Sequence, residues 1–316
     1  MHATLTTRTF SLRELSRRFG LVLSFLLLFT GLSLLSDRFL TVSNLLNVLR
    51  QASINGIISV GMTYVILTAG IDLSVGSVLA ICTVITADLL KRQLPVPIAL
   101  LSGLALGAVL GMTNGLIITK GRVPPFVATL GMMTVARGLA LTYTQGRPIT
   151  GLPDSFRFIG TGSVGPLPMP IVVAAVGFTL GYVLLTRTRI GESIFALGNN
   201  PVAARLAGIP THSYTVFVYA ISGLLASLAG MLLVARLDSA QPSVGLGYEF
   251  DAIAAVVVGG TSFAGGEGGL GGTLLGVLII AVLNNGLNLL NIGSFYQPVV
   301  TGVVIALALL LYRAIR

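Results

Sequence analysis

Gly61-Met62-Thr63-Tyr64-Val65-Ile66-Leu67-Thr68-Ala69-Gly70-Ile71-Asp72-Leu73-Ser74-Val75-Gly76-Ser77 is an apolar run interrupted once, at a glycine and a carboxylate. Apolar sequence continues from it in both directions, back to Gln51 and on to Leu90. A helix needs roughly 20 apolar residues to cross a bilayer. Two such lengths joined by a polar break therefore read as two spans, 51–70 and 73–90. Working outward, similar runs occupy 19–36, 96–119, 124–144, 168–186, 213–235, 249–266, 270–290 and 296–312, which makes ten in all. The fold class that follows is an all-α polytopic membrane protein of about ten transmembrane helices, some of them short or broken.

Composition agrees. Of 316 residues, 54% are hydrophobic and 9% charged, and the mean hydropathy is +0.95. Soluble domains carry roughly 25% charged residues. Residues 1–18 form a short N-terminal segment and 19–316 a single transmembrane domain, with no room for a soluble domain of ordinary size. The first run lacks a small-residue cleavage site and nine others follow, so it reads as an uncleaved span. The net charge of +9 fits arginine-rich edges facing anionic lipid rather than nucleic acid. With ten spans both termini share a side. Eleven Lys and Arg fall on that side, including Arg8, Arg13, Lys120, Arg122, Arg187, Arg189 and Arg205, against seven opposite, which places the N-terminus in the cytoplasm. Arg137 stays within a span. The single cysteine, Cys82, excludes an internal disulfide and reads as a small buried hydrophobe.

Two connections stand out by length. Residues 145–167, rich in Gly and Pro, lie outside. Residues 187–212 form the main cytoplasmic connection, and Asn200 there can cap a short helix that has Pro201 at its first position and Gly208 past its end. Such a helix in a loop-poor membrane protein suggests docking to another chain. Gly103, Gly107, Gly111 and Gly115 recur every four residues and favour close helix packing. Gly70, Asp72, Gly76 and Leu79 are echoed by Gly265, Glu267, Gly271 and Leu274 at a constant offset of 195.

Enzyme chemistry has little support. His2 and His212 belong to no metal-ligand cluster, and neither a cofactor nor a catalytic residue is expected in this chain. Gly266-Glu267-Gly268-Gly269-Leu270-Gly271 fits a dinucleotide fingerprint, but its flanks are membrane spans, so a re-entrant turn is the better reading. Neither lysine, Lys91 or Lys120, follows a glycine as a phosphate-binding loop requires. ATP-driven transport would need its ATPase on another polypeptide. Polar groups inside the spans are costly and so informative. Gln51, Asn55, Ser59 and Thr63 form one stripe, and Asn284, Asn288 and Asn291 another. Asn55, Asp72, Asn284 and Asn288 are candidates to line a pathway for a polyhydroxylated solute. Asp72 also fits a cap for the amides of Ser74 or Val75.

Together these stretches resemble sugar-uptake ABC permeases. The resemblance rests on the segment quoted first, on Ile194-Phe195-Ala196-Leu197-Gly198-Asn199-Asn200 with Ala203-Ala204-Arg205 and Gly208-Ile209, on Gly247-Tyr248-Glu249-Phe250-Asp251 through Thr261-Ser262, and on Leu283-Asn284-Asn285-Gly286-Leu287-Asn288. Arg236-Leu237-Asp238-Ser239-Ala240-Gln241-Pro242 and Lys120-Gly121-Arg122-Val123 resemble the ribose branch. Ala69, Glu267 and Phe250 depart from the usual pattern. The resemblance implies a bacterial inner-membrane importer of a monosaccharide, ribose first, with another pentose, galactose or a furanose-like signalling molecule as alternatives. A stand-alone ion-coupled carrier is the reading from another class, and the scarcity of charge in the spans argues against it. The implied partners are a second permease copy, cytoplasmic ATPase subunits, a periplasmic sugar-binding protein and membrane lipid. Within 187–212, Gly191, Gly198, Asn199, Asn200, Ala203, Ala204, Arg205 and Gly208 would couple to the ATPase.

Overall fold

A chain in lipid must satisfy its backbone amides internally, and this one does so with helices. The computed structural model describes residues 12–315; His2, Arg8 and most of the expected N-terminal segment, and Arg316, lie outside them. The helices are α1 Leu12–Leu35, α2 Val42–Leu67, α3 Val75–Lys91, α4 Val96–Thr119, α5 Pro125–Thr144, α6 Asp154–Thr161, α7 Met169–Arg187, α8 Arg189–Asn199, α9 Pro201–Leu206, α10 Thr211–Leu237, α11 Tyr248–Val258, α12 Leu270–Leu289 and α13 Gln297–Ile315. Among the described residues five of these, α4, α5, α7, α10 and α12, are long and apolar enough to cross a membrane. The protein is an all-α membrane protein. Its strands are two-residue pairs, Ile149–Thr150 with Ser239–Ala240 and Ser163–Val164 with Leu167–Pro168.

The apolar run 96–119 coincides with α4. Two other expectations need correction. Helix α2 starts at Val42, where the Thr41 side chain accepts the Asn44 amide, well before Gln51. The run 249–266 is not one helix. α11 ends at Val258, because Gly260 takes a left-handed conformation (φ 88°) and the amides of Gly260 and Thr261 bond back to Val257 and Val256. That double bond is a glycine-dependent helix stop, so α11 spans only about half a membrane at 1.5 Å per residue.

The helices fall into two sets, α2–α5 and α10–α13, whose starts match at offsets between 169 and 174 residues. The packing matches too. α10 lies on α4 as α2 lies on α12, α3 packs on α5 as α11 packs on α13, and α3–α4 corresponds to α11–α12. α4 and α10 run antiparallel, since Gly103 meets Met231 while Gly115 meets Val216. α2 and α12 are antiparallel as well, Asn44 pairing with Asn285 and Thr63 with Thr273. Short connections make α2 parallel to α4. The second set is therefore the first turned over, the inverted repeat common in transporters. The echo at 195 does not mark this repeat, because it aligns α3 with α12 instead of α11.

Small residues set the inter-helix distances. A Cβ at Gly107 would lie 2.5 Å from the Gly223 carbonyl oxygen, and one at Gly111 would collide with the Tyr219 carbonyl. The four-residue glycine stripe of α4 is thus a packing face for α10. The central core gathers Ile57, Met62, Leu79, Ala226, Leu232 and Val256, with Cys82 fully buried in it.

Candidate functional site

Two helices of the bundle begin in its interior. After α2 the chain closes with Ala69 left-handed (φ 57°) and Gly70 bonding back to Val65. It then turns inward, so that Asp72 reaches Ser222 of α10. The α-carbon of Ser222 lies 2.9 Å from a Cβ built on Gly61. Gly61 stands six residues before the end of α2, about 9 Å along the helix. Asp72 is 1% exposed. Its Oδ1 accepts the Ser74 amide at 3.0 Å and the Ser74 hydroxyl at 2.6 Å, and its Oδ2 accepts the Ser222 hydroxyl at 2.8 Å. Asn114 of α4 donates to the Ser74 hydroxyl at 2.9 Å. The carboxylate holds the start of α3 to α10 and, through Ser74, to α4. Ser74 itself occupies the cap position, and Asp72 takes its amide as the sequence suggested.

The second interior start is that of α11. From Asp238 the chain passes through the pair with Ile149–Thr150 and descends to Gly245, which packs on Gly76 in the first turn of α3. A Cβ on Gly76 would collide with the Gly245 carbonyl and sit 2.6 Å from Glu249 Oε2. Arg137 of α5 supports this descending segment, donating through Nη1 to the carbonyls of Pro242 (2.7 Å) and Val244 (2.8 Å). Glu249, 6% exposed, accepts the Gly247 amide at 3.4 Å. An anion at that end suits the positive end of α11. The two interior starts, repeat-related, meet in the middle of the bundle.

A third feature lies where α2 ends. The Gly266 amide donates to the Leu67 carbonyl at 2.9 Å. Gly198 of α8 is buried on the same spot, and a Cβ there would collide with that carbonyl and lie 2.5 Å from the Gly266 nitrogen. α8 is thus seated on the end of α2 and on the turn before α12. The next helix, α9, is capped by Asn200, whose Oδ1 accepts the amides of Val202 (3.1 Å) and Ala203 (3.0 Å), and Gly208 follows its end at φ 84°. Val202 and Leu206, four residues apart on α9, leave 67% and 85% of their surface open.

Residues 44–312 match the family model described as "Branched-chain amino acid transport system / permease component". The chain belongs to this permease family. The permease is 47% identical over 315 residues to the ribose import permease protein of Escherichia coli (strain K12), covering 97% of this chain and 98% of that one. Against the ribose import permease protein of Bacillus subtilis (strain 168) it is 50% identical over 299 residues, 94% and 93% of the two chains. The D-allose transport system permease protein of Escherichia coli (strain K12) is 38% identical over 284 residues, 90% and 87%. No solved structure matches.

Within the permease the expected site residues separate. Asp72, Asn55 and Asn284 lie inward, and the buried Oδ1 atoms of Asn55 and Asn284 accept no hydrogen bond. Ser59 and Thr63, on the stripe with Asn55, give their hydroxyls to carbonyls four residues back. Asn288 does not join them: it is exposed in the last turn of α12 and accepts from Gln297 at 2.8 Å. Asn291 falls beyond the helix in a left-handed conformation. Of the loop residues, Gly191, Gly198 and Ala204 face the bundle, whereas Asn199, Asn200, Ala203, Arg205 and Gly208 are exposed. Arg137 and Glu249 carry weight that sequence reasoning did not assign. A charge within an apolar run was their only signal.

Proposed function

We propose that this permease carries ribose through the membrane as the transmembrane subunit of an ATP-driven importer. The observation that carries the reading is near full-length identity, 47–50%, with ribose import permeases, against 38% for the allose permease. The interior supports it. Amide and carboxylate groups gather there, among the described residues without a relay of ion pairs, which suits a polyhydroxylated solute. The buried, unpaired oxygens of Asn55 and Asn284 are acceptors that a sugar hydroxyl can engage.

In this reading the ten apolar segments all cross or enter the bacterial inner membrane with the N-terminus in the cytoplasm. Two copies pair, ATP is hydrolysed on separate cytoplasmic subunits, and a periplasmic binding protein delivers the sugar. α9 faces the ATPase, presenting Val202, Ala203 and Leu206 as an apolar face, while α8 passes the movement to the ends of α2 and α12. The inward-facing Gly191, Gly198 and Ala204 seat the loop on the bundle instead of meeting the partner.

Reconstitution tests this. The permease, its ATPase and its binding protein in liposomes should take up labelled ribose only with ATP inside the cytoplasmic face. Ribose should outcompete allose and galactose. Uptake by the permease alone, or preference for another sugar, overturns the assignment.

A further inference from the structure

Beside α9, on the same face of the bundle, a cavity of about 380 Å³ opens between the end of α4, the end of α8 and the start of α10. That volume is at the low end of the roughly 300–1,000 Å³ typical of small-molecule sites. Its polar lining comes from Arg122, Arg205, Thr211 and His212, with Thr119 and Thr215 giving their hydroxyls to carbonyls four residues back. Among the described residues neither arginine pairs with a carboxylate, the ion pairs being Arg92–Asp88, Arg157–Asp154 and Arg157–Asp238.

The other residues lining the cavity carry no negative charge. Arg205 Nη2 lies 3.1 Å from His212 Nε2. A guanidinium can only donate, so Nε2 is the accepting atom of that bond. Thr211 is 6% exposed, and its buried hydroxyl has no hydrogen-bond partner. α10, 27 residues long, starts at Thr211 after Pro210, with no side chain capping it. The Thr211 amide bonds to Ile209 and the Tyr214 amide to Pro210, which leaves the amides of His212 and Ser213 without an acceptor. Two guanidiniums, an unused hydroxyl and a helix start converge here, and no carboxylate lines the cavity to balance them.

We propose that this cavity binds a phosphate group, held by Arg122 and Arg205 and by the start of α10. Arginine forks match phosphate oxygens, and a helix N-terminus favours an anion. Two sources carry this chemistry: a small phosphorylated solute, or the headgroup of an anionic lipid. Because Arg205 belongs to α9, the occupant would fix α9 to α10 and so set the position of the loop proposed to meet the ATPase.

Equilibrium binding of radiolabelled inorganic phosphate to the full chain in phosphatidylcholine nanodiscs tests this. Saturable binding is expected, weakened about tenfold by Arg205→Gln or Arg122→Gln and severalfold by Thr211→Val. Arg205→Lys should fall between, and Arg92→Gln, remote and paired with Asp88, should bind as the unmodified chain does. Circular dichroism confirms that each variant is folded. If phosphate is displaced by phosphatidylglycerol in the disc, and that lipid is retained by the unmodified chain but lost by the Gln variants, the source is the headgroup. Absence of both phosphate binding and lipid retention, or equal loss with Arg92→Gln, overturns the site.

Discussion

Replacing Asp72 by leucine removes the acceptor for three donors: the Ser74 amide, the Ser74 hydroxyl and the Ser222 hydroxyl. The Ser222 hydroxyl can rotate to a carbonyl one turn back in α10, so its loss is small. Ser74 precedes α3 and has no such alternative. A buried donor left without a partner costs about 1–3 kcal/mol, so the two Ser74 donors make Asp72→Leu cost about 2–6 kcal/mol. Folded domains have only about 5–15 kcal/mol in total, and the variant is expected to accumulate poorly. Asp72→Asn is different. With Oδ1 turned toward Ser74 both of those bonds survive, and Nδ2 can donate to the Ser222 hydroxyl, which also accepts. What is lost is the extra strength of charged acceptors, about 1 kcal/mol. Ribose uptake by the reconstituted complex should therefore persist in Asp72→Asn, with a small drop in thermal midpoint, and Ser222→Ala should add little to it. An Asp72→Asn complex that assembles and hydrolyses ATP normally but moves no sugar would refute this reasoning and assign the function to the charge itself.

Gly76→Ala places a methyl against the Gly245 carbonyl and Glu249; a cost of about 1–3 kcal/mol and lost uptake are expected, read by thermal denaturation and transport. Ala69→Gly removes a left-handed alanine, worth about 1–2 kcal/mol less about 0.4–1 kcal/mol of unfolded-chain entropy, so the thermal midpoint should rise slightly. Val202→Asp with Leu206→Asp, both on exposed positions, should leave the fold intact and weaken ATPase co-purification, whereas Gly198→Leu should damage the fold itself. Cysteine at position 55 in a Cys82→Ala background should react with small water-soluble thiol reagents in at least one nucleotide state, and inertness in every state would remove Asn55 from the pathway.

The apolar run between Pro95 and Lys120 located α4 to the residue, and the cap at Asn200 was legible because capping is a local matter. Asp72 was legible for the same reason. The interior start of α11 was not. The apolar character of 249–266 continues past the helix end through Phe263 and Ala264, and a Gly259-Gly260 doublet has little contrast in a chain with 39 glycines. Arg137 acts on carbonyls more than a hundred residues away, and no spacing rule links them. The asparagine face of α12 failed for a geometric reason: helical spacing places Asn291 above Asn284 only if the helix continues, and it stops at Leu289.

The seat of Gly198 on the Leu67 carbonyl and the Gly266 amide leaves no slack between three pieces of backbone. Side chains that interdigitate can change rotamer and absorb a shift, but backbone against backbone has no such play. In the proposed mechanism a push on α8 would therefore reach the end of α2 and the turn before α12 together, as through a gear train without backlash.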